Sequence, residues 1–142
     1  MKKSTQEWLT GIAIGIILSL LLAVKVFAAP LTEEETELLT KTVYLEAGNQ
    51  DLTGKRLVVS VILNRVDSKE FPDDVKSVLA QDGQFQTFRH LNDAQPTWTD
   101  KLAVKMETEG RLNTGVYFFR TEHYGCGEPL FKYQDHYFST IK

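Results

Sequence analysis

Glu46 is the residue of this sequence best suited to acid–base chemistry, and it stands in the stretch TVYLEAGNQ at residues 42–50. It follows Leu38 by eight positions and Val43 by three, so a helix here places its carboxyl group beside the apolar face. Partial burial and the negative end of the helix dipole both raise the pKa of a carboxyl group. A carboxyl group protonated near neutral pH can donate its proton to a leaving oxygen. Position alone, however, favours an ordinary solvated glutamate.

A thiol nucleophile and a metal site are two other chemistries to consider. Cys126 is the only cysteine, with His123 three positions before it and His136 ten positions after it. Its setting, HYGCGEP, predicts a turn and not the helix N-terminus that usually lowers the pKa of a catalytic thiol. These three residues and His90 lack the spacing of a recognised zinc motif, so we expect no metal and no cofactor.

Length and charge limit the classes of function. The chain has 142 residues and a net charge of -3, with positive and negative side chains interspersed. A nucleic-acid binder needs a basic face, so we expect no nucleic-acid partner. A single cysteine excludes an intramolecular disulfide, and about 114 residues behind the N-terminal segment suffice for one domain with one core. We expect that domain to be a monomer.

The first 28 residues predict a signal peptide. Lys2 and Lys3 precede an apolar stretch of 14 residues at 11–24, and residues 26–28 (VFA) end in the small residue that signal peptidase requires. The stretch is shorter than the roughly 20 residues of a membrane span, but Lys25 can snorkel, so an uncleaved signal anchor is the alternative. We therefore expect an exported catalytic domain at 29–142, which touches a membrane only through an uncleaved N-terminus.

The elements that must position Glu46 are mainly helical. Thr32 and Glu35 form a capping-box pattern for a helix from about Glu33 to Ala47, which Gly48 and Asn49 close in the left-handed conformation. The apolar run at 53–66 is too long for a usual strand and predicts a buried helix.

Further along, patterns predict a short helix at 75–80, a loop at 82–86, a polar segment at 88–98 and a helix at about 99–109. Aromatic stretches at 116–119 and 133–138 predict two strands. The fold class expected is therefore α+β, mainly helical, with a small β-sheet in a single domain.

Four segments resemble, in order and spacing, the cell-wall hydrolase family typified by the spore cortex-lytic enzyme SleB. They are YLEAGNQ, GKRLVVSVILNRV, FPDDVKSVLAQDGQF and DHYFS, and together they span roughly residues 37–138. The resemblance implies a lysozyme-like fold of the lytic transglycosylase kind. It also implies cleavage of peptidoglycan glycan strands between N-acetylmuramic acid and N-acetylglucosamine.

The family's motif Glu-Ala-Arg-Gly-Glu begins with the catalytic acid/base, and the resemblance carries that role to Glu46. Gln50 replaces the motif's second glutamate; its amide can bond a sugar but cannot accept a proton. One glutamate suits a lytic transglycosylase, which protonates the leaving oxygen and closes a 1,6-anhydro ring with the 6-hydroxyl of muramic acid. A hydrolase normally needs a second carboxylate. Three aspartates stay open for that role: Asp51, Asp67 and Asp73.

The resemblance also implies a glycan groove. Gln84 and Phe85 fall in the family's QF loop, and His136 and Tyr137 fall in its terminal histidine–aromatic motif. We expect these four residues and Gln50 to bind substrate, with amides on sugar hydroxyls and rings on sugar faces. Phe85 and Tyr137 fit a hydrophobic core equally well, and His136 also fits a buried histidine.

Asn64 and Arg65 match the family's NR pair, but the capping of a buried helix end explains them as well as substrate binding does. Two rival functions remain. The altered motif is compatible with a catalytically silent peptidoglycan-binding module, and Cys126 with a cysteine peptidase of cell-wall peptides. The sequence does not distinguish spore cortex lysis from vegetative or phage-related wall degradation.

Overall fold

The computed structural model describes residues 30–142, so the predicted signal peptide or anchor lies outside the described residues. The helices are α1 (Glu33–Ala47), α2 (Leu52–Val66), α3 (Val75–Leu79) and α4 (Trp98–Glu109). The strands are β1 (Phe118–Arg120), β2 (Glu128–Tyr133) and β3 (His136–Thr140). This arrangement confirms the predicted class, mainly helical with a small sheet. Within 30–142, no helix is both long and apolar enough to cross a membrane.

Helix α1 begins at the predicted capping box. The Glu35 main-chain N–H donates to the Thr32 hydroxyl, and the Glu35 carboxylate accepts from the Thr32 main chain. The predicted left-handed closure is wrong, because Gly48 keeps right-handed helical angles (φ -57°, ψ -35°). The chain turns directly into α2, whose N-cap Asp51 accepts from the Gly54 N–H, so no left-handed residue is needed between the two helices.

Helix α2 forms the centre of the domain. Eleven of its fifteen residues are buried, which explains why its apolar residues cover nearly every face. The main core lies between α1, α2 and α3, with Val104 of α4 and Phe85. A smaller cluster joins α2 to the sheet through Leu57, Val61, Val116 and Phe138.

The sheet has three antiparallel strands in the order β1-β3-β2, where two strands were predicted. The predicted strand at 133–138 is divided by a turn, in which Gln134 takes a positive φ of 47°. The predicted strand at 116–119 begins later, at Phe118. Gly127 is required at the start of β2, because a β-carbon there would lie 1.8 Å from the Thr140 carbonyl oxygen and its φ is 77°.

The polar segment before α4 also differs from its prediction. Residues Gln86–Asp93 form a 3₁₀ segment, interrupted at His90 by a non-helical φ of -114°. Short 3₁₀ turns need no apolar periodicity, which is why the sequence pattern did not indicate them. Helix α4 then starts at Trp98, one residue before the predicted start, after a capping box between Thr97 and Asp100.

A buried ion pair fixes the end of α1. The Lys55 ammonium lies 2.5 Å from the Asp100 carboxylate and donates to the Gly48 carbonyl oxygen at 3.2 Å. Asp100 also accepts from the Thr97 N–H at the start of α4. Breaking a buried pair of this kind by removing one partner costs about 3–5 kcal/mol. The end of α1, one residue after Glu46, is therefore held rigidly against α2 and α4.

Candidate active site

A cleft of about 380 Å³ opens beside the end of α1. Three parts of the chain line it: Glu46, the segment 83–87, and the segment 118–126 that contains β1 and the loop after it. Arg65, at the end of α2, completes the lining. The cleft thus gathers residues far apart in sequence around one carboxyl group.

Glu46 is half-buried in this cleft, at the last turn of α1. Burial raises the pKa of its carboxyl group. The Thr87 hydroxyl donates to the Glu46 carboxylate at 2.5 Å, and this bond and the Thr87 main chain act in the opposite direction. The carboxyl group therefore meets both needs of a proton donor: it holds its proton to higher pH, and its carboxylate form has a partner.

The loop after β1 brings further polar side chains to the cleft. Glu122, His123 and Cys126 all lie there, and all three are exposed. Glu122 is a second carboxylate that the sequence did not indicate, because nothing local ties an exposed loop residue to a glutamate 76 positions earlier. Thr87 was also not predicted as a site residue, although its position two residues after Phe85 indicates that it lies near the cleft.

Gln84 and Phe85 lie in the cleft, as the resemblance implied. The Gln84 side-chain oxygen accepts a hydrogen bond from an Arg65 terminal nitrogen at 2.9 Å. Phe85 is buried and belongs to the main core, with its ring 6.0 Å from that of Phe119. The Gln84 amide therefore keeps some hydrogen-bonding capacity for a ligand. The Phe85 ring belongs mainly to the core beneath the cleft.

Gln50 does not line the cleft. It is buried, and its amide nitrogen donates to Asp135 at 2.9 Å and to the Asn49 side-chain oxygen at 3.0 Å. Asn49 donates to the same Asp135 oxygen at 2.9 Å. The Gln50 amide thus joins the α1–α2 turn to the turn between β2 and β3.

His136 and Tyr137 lie on opposite faces of β3. His136 is buried against Phe119, its ring 5.0 Å away, and neither strand residue lines the cleft. Burial lowers the pKa of His136, while the Asp135 charge and a hydrogen bond to the Glu46 main chain raise it. Tyr137 packs against Tyr124 and beneath the Lys132 ammonium. His136 is thus a buried neighbour of Phe119 and Phe138 and not part of the cleft lining.

The three aspartates considered as second carboxylates lie outside the cleft lining. Asp51 caps α2 and accepts from the Tyr133 hydroxyl, and Asp67 pairs with Arg111. Asp73 borders a separate surface depression. In the part of the chain that the structure describes, the candidate zinc residues likewise do not come together as one group.

The sequence model of the family described as Cell Wall Hydrolase matches residues 49–139. The match confirms the family that the four segments predicted; it begins three residues after Glu46. A search among curated proteins gave no significant match.

Two solved structures share the fold. The catalytic domain of the germination-specific lytic transglycosylase SleB from Bacillus anthracis superposes with a TM-score of 0.69 at 23% identity, covering 79% of this chain and 98% of that one. The catalytic domain of the Bacillus cereus SleB protein gives a TM-score of 0.72 at 21% identity, covering 83% and 99%. At these identities the likeness concerns the fold.

Proposed function

We propose that this chain, which belongs to the cell wall hydrolase family, cleaves peptidoglycan glycan strands through Glu46 as a lytic transglycosylase. The observation that carries the proposal is the half-buried Glu46 carboxyl group in a polar cleft, its pKa raised by burial. A free glutamate ionises near pH 4.3 and has little proton left to give at neutral pH. Burial acts against that difficulty at this position, because it raises the pKa of the Glu46 carboxyl group.

The reaction we propose has two proton transfers by one carboxyl group. Protonated Glu46 donates to the glycosidic oxygen between N-acetylmuramic acid and N-acetylglucosamine, and the bond from muramic C1 to that oxygen breaks. The 6-hydroxyl of the same muramic residue then attacks C1 as the Glu46 carboxylate takes its proton. The products are a 1,6-anhydro end and a new N-acetylglucosamine hydroxyl, and Glu46 is again protonated.

Thr87 suits this cycle. Its hydroxyl donates to the Glu46 carboxyl group, so it holds the side chain in one rotamer and stabilises the negative charge after donation. The effect on pKa is a compromise, since burial favours the acid form while Thr87 favours the carboxylate. General acid–base catalysis works best when the pKa lies near the working pH.

Hydrolysis is the competing outcome, and Glu122 gives it a specific basis. Glu122 is an exposed carboxylate in the same cleft, where it could act on a water molecule instead of the muramic 6-hydroxyl. The two reactions differ in mass, because the anhydro product lacks the water that a reducing muramic end contains. The Bacillus anthracis relative is itself described as a lytic transglycosylase, and that likeness supports the first reaction here.

The setting proposed is outside the cytoplasm, with export by the N-terminal segment and peptidoglycan as the partner. Family membership supports action on the cell wall. Spore cortex and vegetative wall are both substrates to test.

The test compares wild-type protein with Glu46→Gln and, as a matched control within the cleft, Cys126→Ala. Glutamine keeps the shape of the side chain and an oxygen for the Thr87 hydroxyl, but carries no titratable proton. We expect Glu46→Gln to lower the clearing rate of purified sacculi about 10²–10⁴-fold, and Cys126→Ala to leave it unchanged. Mass spectrometry of the soluble products should show 1,6-anhydromuramic ends.

Each other outcome identifies a rival. Equal clearing by wild type and Glu46→Gln removes Glu46 from the mechanism. Loss of activity in Cys126→Ala alone, with peptide products, indicates the cysteine peptidase. Binding without clearing by all three proteins indicates a catalytically silent binding module, and reducing muramic ends indicate hydrolysis.

A further inference from the structure

Arg65 is a buried cation that lacks a carboxylate partner. It is 2% exposed, and none of the carboxylates in the described part of the chain lies within ion-pair distance of it. Lys55, which is also buried, pairs with Asp100, and the partly buried Arg56 and Arg111 pair with Glu107 and Asp67. Among residues 30–142, Arg65 is thus the buried or partly buried cation that no carboxylate neutralises.

The hydrogen bonds and ring contacts of Arg65 are all to neutral groups, and Cys126 is the ionisable side chain that acts on its pKa. Its guanidinium carbon lies 5.0 Å from the ring centres of Phe71 and Phe118 and 5.3 Å from that of Phe85. Its nitrogens donate to the Tyr117 carbonyl oxygen and to two glutamine side chains, those of Gln81 and Gln84. Burial lowers the pKa of Arg65 to about 10, so the group is still a cation at neutral pH.

The remaining hydrogen-bonding capacity of Arg65 matches a carboxylate. A guanidinium has five N–H groups, and three are used, one each on Nε, Nη1 and Nη2. One N–H is left on each terminal nitrogen. Two terminal N–H groups can bind the two oxygens of a carboxylate together, which is a stronger contact than bonds to neutral acceptors.

The rings hold the guanidinium in place before any ligand arrives. Rotation of the side chain would break the hydrogen bond to the Tyr117 carbonyl oxygen at 2.7 Å and the contacts with three aromatic rings. A ligand anion therefore meets a fixed donor, at little cost in side-chain entropy. Unlike the exposed Arg120, which also lines the cleft, Arg65 is screened little by solvent.

We infer that the Arg65 end of the cleft is a subsite for a carboxylate of the muramic acid side chain. Peptidoglycan offers this group in two forms: the lactyl carboxylate of muramic acid freed of its peptide, and the terminal carboxylate of a short peptide stem. The inference rests on the proposed glycan cleavage, because the same cleft holds Glu46. It adds a preference for acidic over neutral side chains of the same length.

The experiment uses the wild-type protein and two pairs of soluble glycan strands. One pair carries free lactyl carboxylates or their primary amides, and the other carries single alanine stems or their amides. We expect kcat/KM to be at least tenfold higher for the acid than for the amide in one of the two pairs. The pair that shows the difference identifies which carboxylate binds.

Two variants assign the preference to one residue. Arg65→Gln should reduce the acid-to-amide ratio to about one, while Arg120→Gln, which alters an exposed cation of the same cleft, should leave it above about ten. If Arg65→Gln does not fold, the acid-to-amide ratios of wild type and Arg120→Gln still test the inference. A ratio that falls to about one in Arg120→Gln would assign the preference to Arg120 and overturn the inference.

Equal rates on acid and amide in both pairs of strands also overturn the subsite, while leaving glycan cleavage by Glu46 intact. If wild type cleaves none of the four strands and Glu46→Gln does not differ from wild type, the proposed function is overturned and the subsite with it. The two failures are therefore distinguishable.

Discussion

Gln50→Glu is expected to destabilise the fold by about 2–3 kcal/mol at neutral pH and by much less near pH 4. The change installs the residue that the resembled family has at this position, and glutamate has nearly the same size as glutamine. What it removes is a donor: the Gln50 amide donates to the Asp135 carboxylate at 2.9 Å and to Asn49 at 3.0 Å. The variant places a carboxyl oxygen against the Asp135 oxygen instead.

The magnitude follows from two contributions. A hydrogen bond to a charged group contributes about 1.5–3 kcal/mol, and that bond is lost. Two unit charges about 4 Å apart repel by about 4 kcal/mol at an effective dielectric constant of about 20. Asp135 is exposed, so solvent screening and movement of its side chain relieve most of the repulsion, whereas Gln50 is buried and cannot move out.

The pH dependence gives the sharper test. A glutamate at position 50 shares one proton with Asp135, so the apparent pKa of the pair is raised in the folded variant. The folded variant then binds more protons than the unfolded chain above about pH 4.3, and the stability that the shared proton provides is lost as the pH rises through the raised pKa. The difference from wild type should therefore grow with pH.

The assay is urea unfolding of wild type and variant at several pH values between about 4 and 8. Asn49→Asp is the matched control, because Asn49 donates to the same Asp135 oxygen at 2.9 Å from an exposed side chain. We expect that control to lose less than about 1 kcal/mol. The reasoning fails if Gln50→Glu loses no more stability than Asn49→Asp, or if its loss does not change with pH.

Two further predictions concern the cleft. Thr87→Val removes a donor that lowers the pKa of Glu46, so the pKa should rise and the descending limb of the pH–activity profile should move to higher pH. If the descending limb of Thr87→Val stays at the wild-type pH, Thr87 does not lower the pKa of Glu46. Alkylation of the exposed Cys126 with a maleimide should lower clearing of sacculi at least about tenfold, because the adduct fills a large part of a cavity of about 380 Å³. Cys126→Ser should resist the reagent, and equal inhibition of both proteins would place the relevant modification elsewhere.

The helices could be predicted from sequence because their signals are local. The capping box at Thr32 set the start of α1, and an apolar run too long for a strand identified α2, whose predicted start at Thr53 is one residue late. The strands were less predictable. Residues 128–132 carry a proline and charged side chains and become a strand only by pairing with β3.

The site could be predicted only in part for a related reason. The helix pattern and the resemblance together pointed to Glu46, and the QF loop pointed to Gln84, which lies in the cleft. Glu122 and the unpaired charge of Arg65 depend on contacts between distant segments, which no local pattern records. His136 and Tyr137 were treated alike as sequence neighbours, yet successive residues of a strand face opposite sides of the sheet.

The end of α1 also shows which of two physical effects raises the pKa of Glu46. The sequence offered both burial and the negative end of the helix dipole. In the structure, the Lys55 ammonium donates to the Gly48 carbonyl oxygen, and a cation at this place offsets the dipole's negative end. Burial is the leading cause that remains, opposed by Thr87. The acidity of Glu46 is therefore governed mainly by its burial beside the cleft, and a ligand that excludes water there should raise its pKa further.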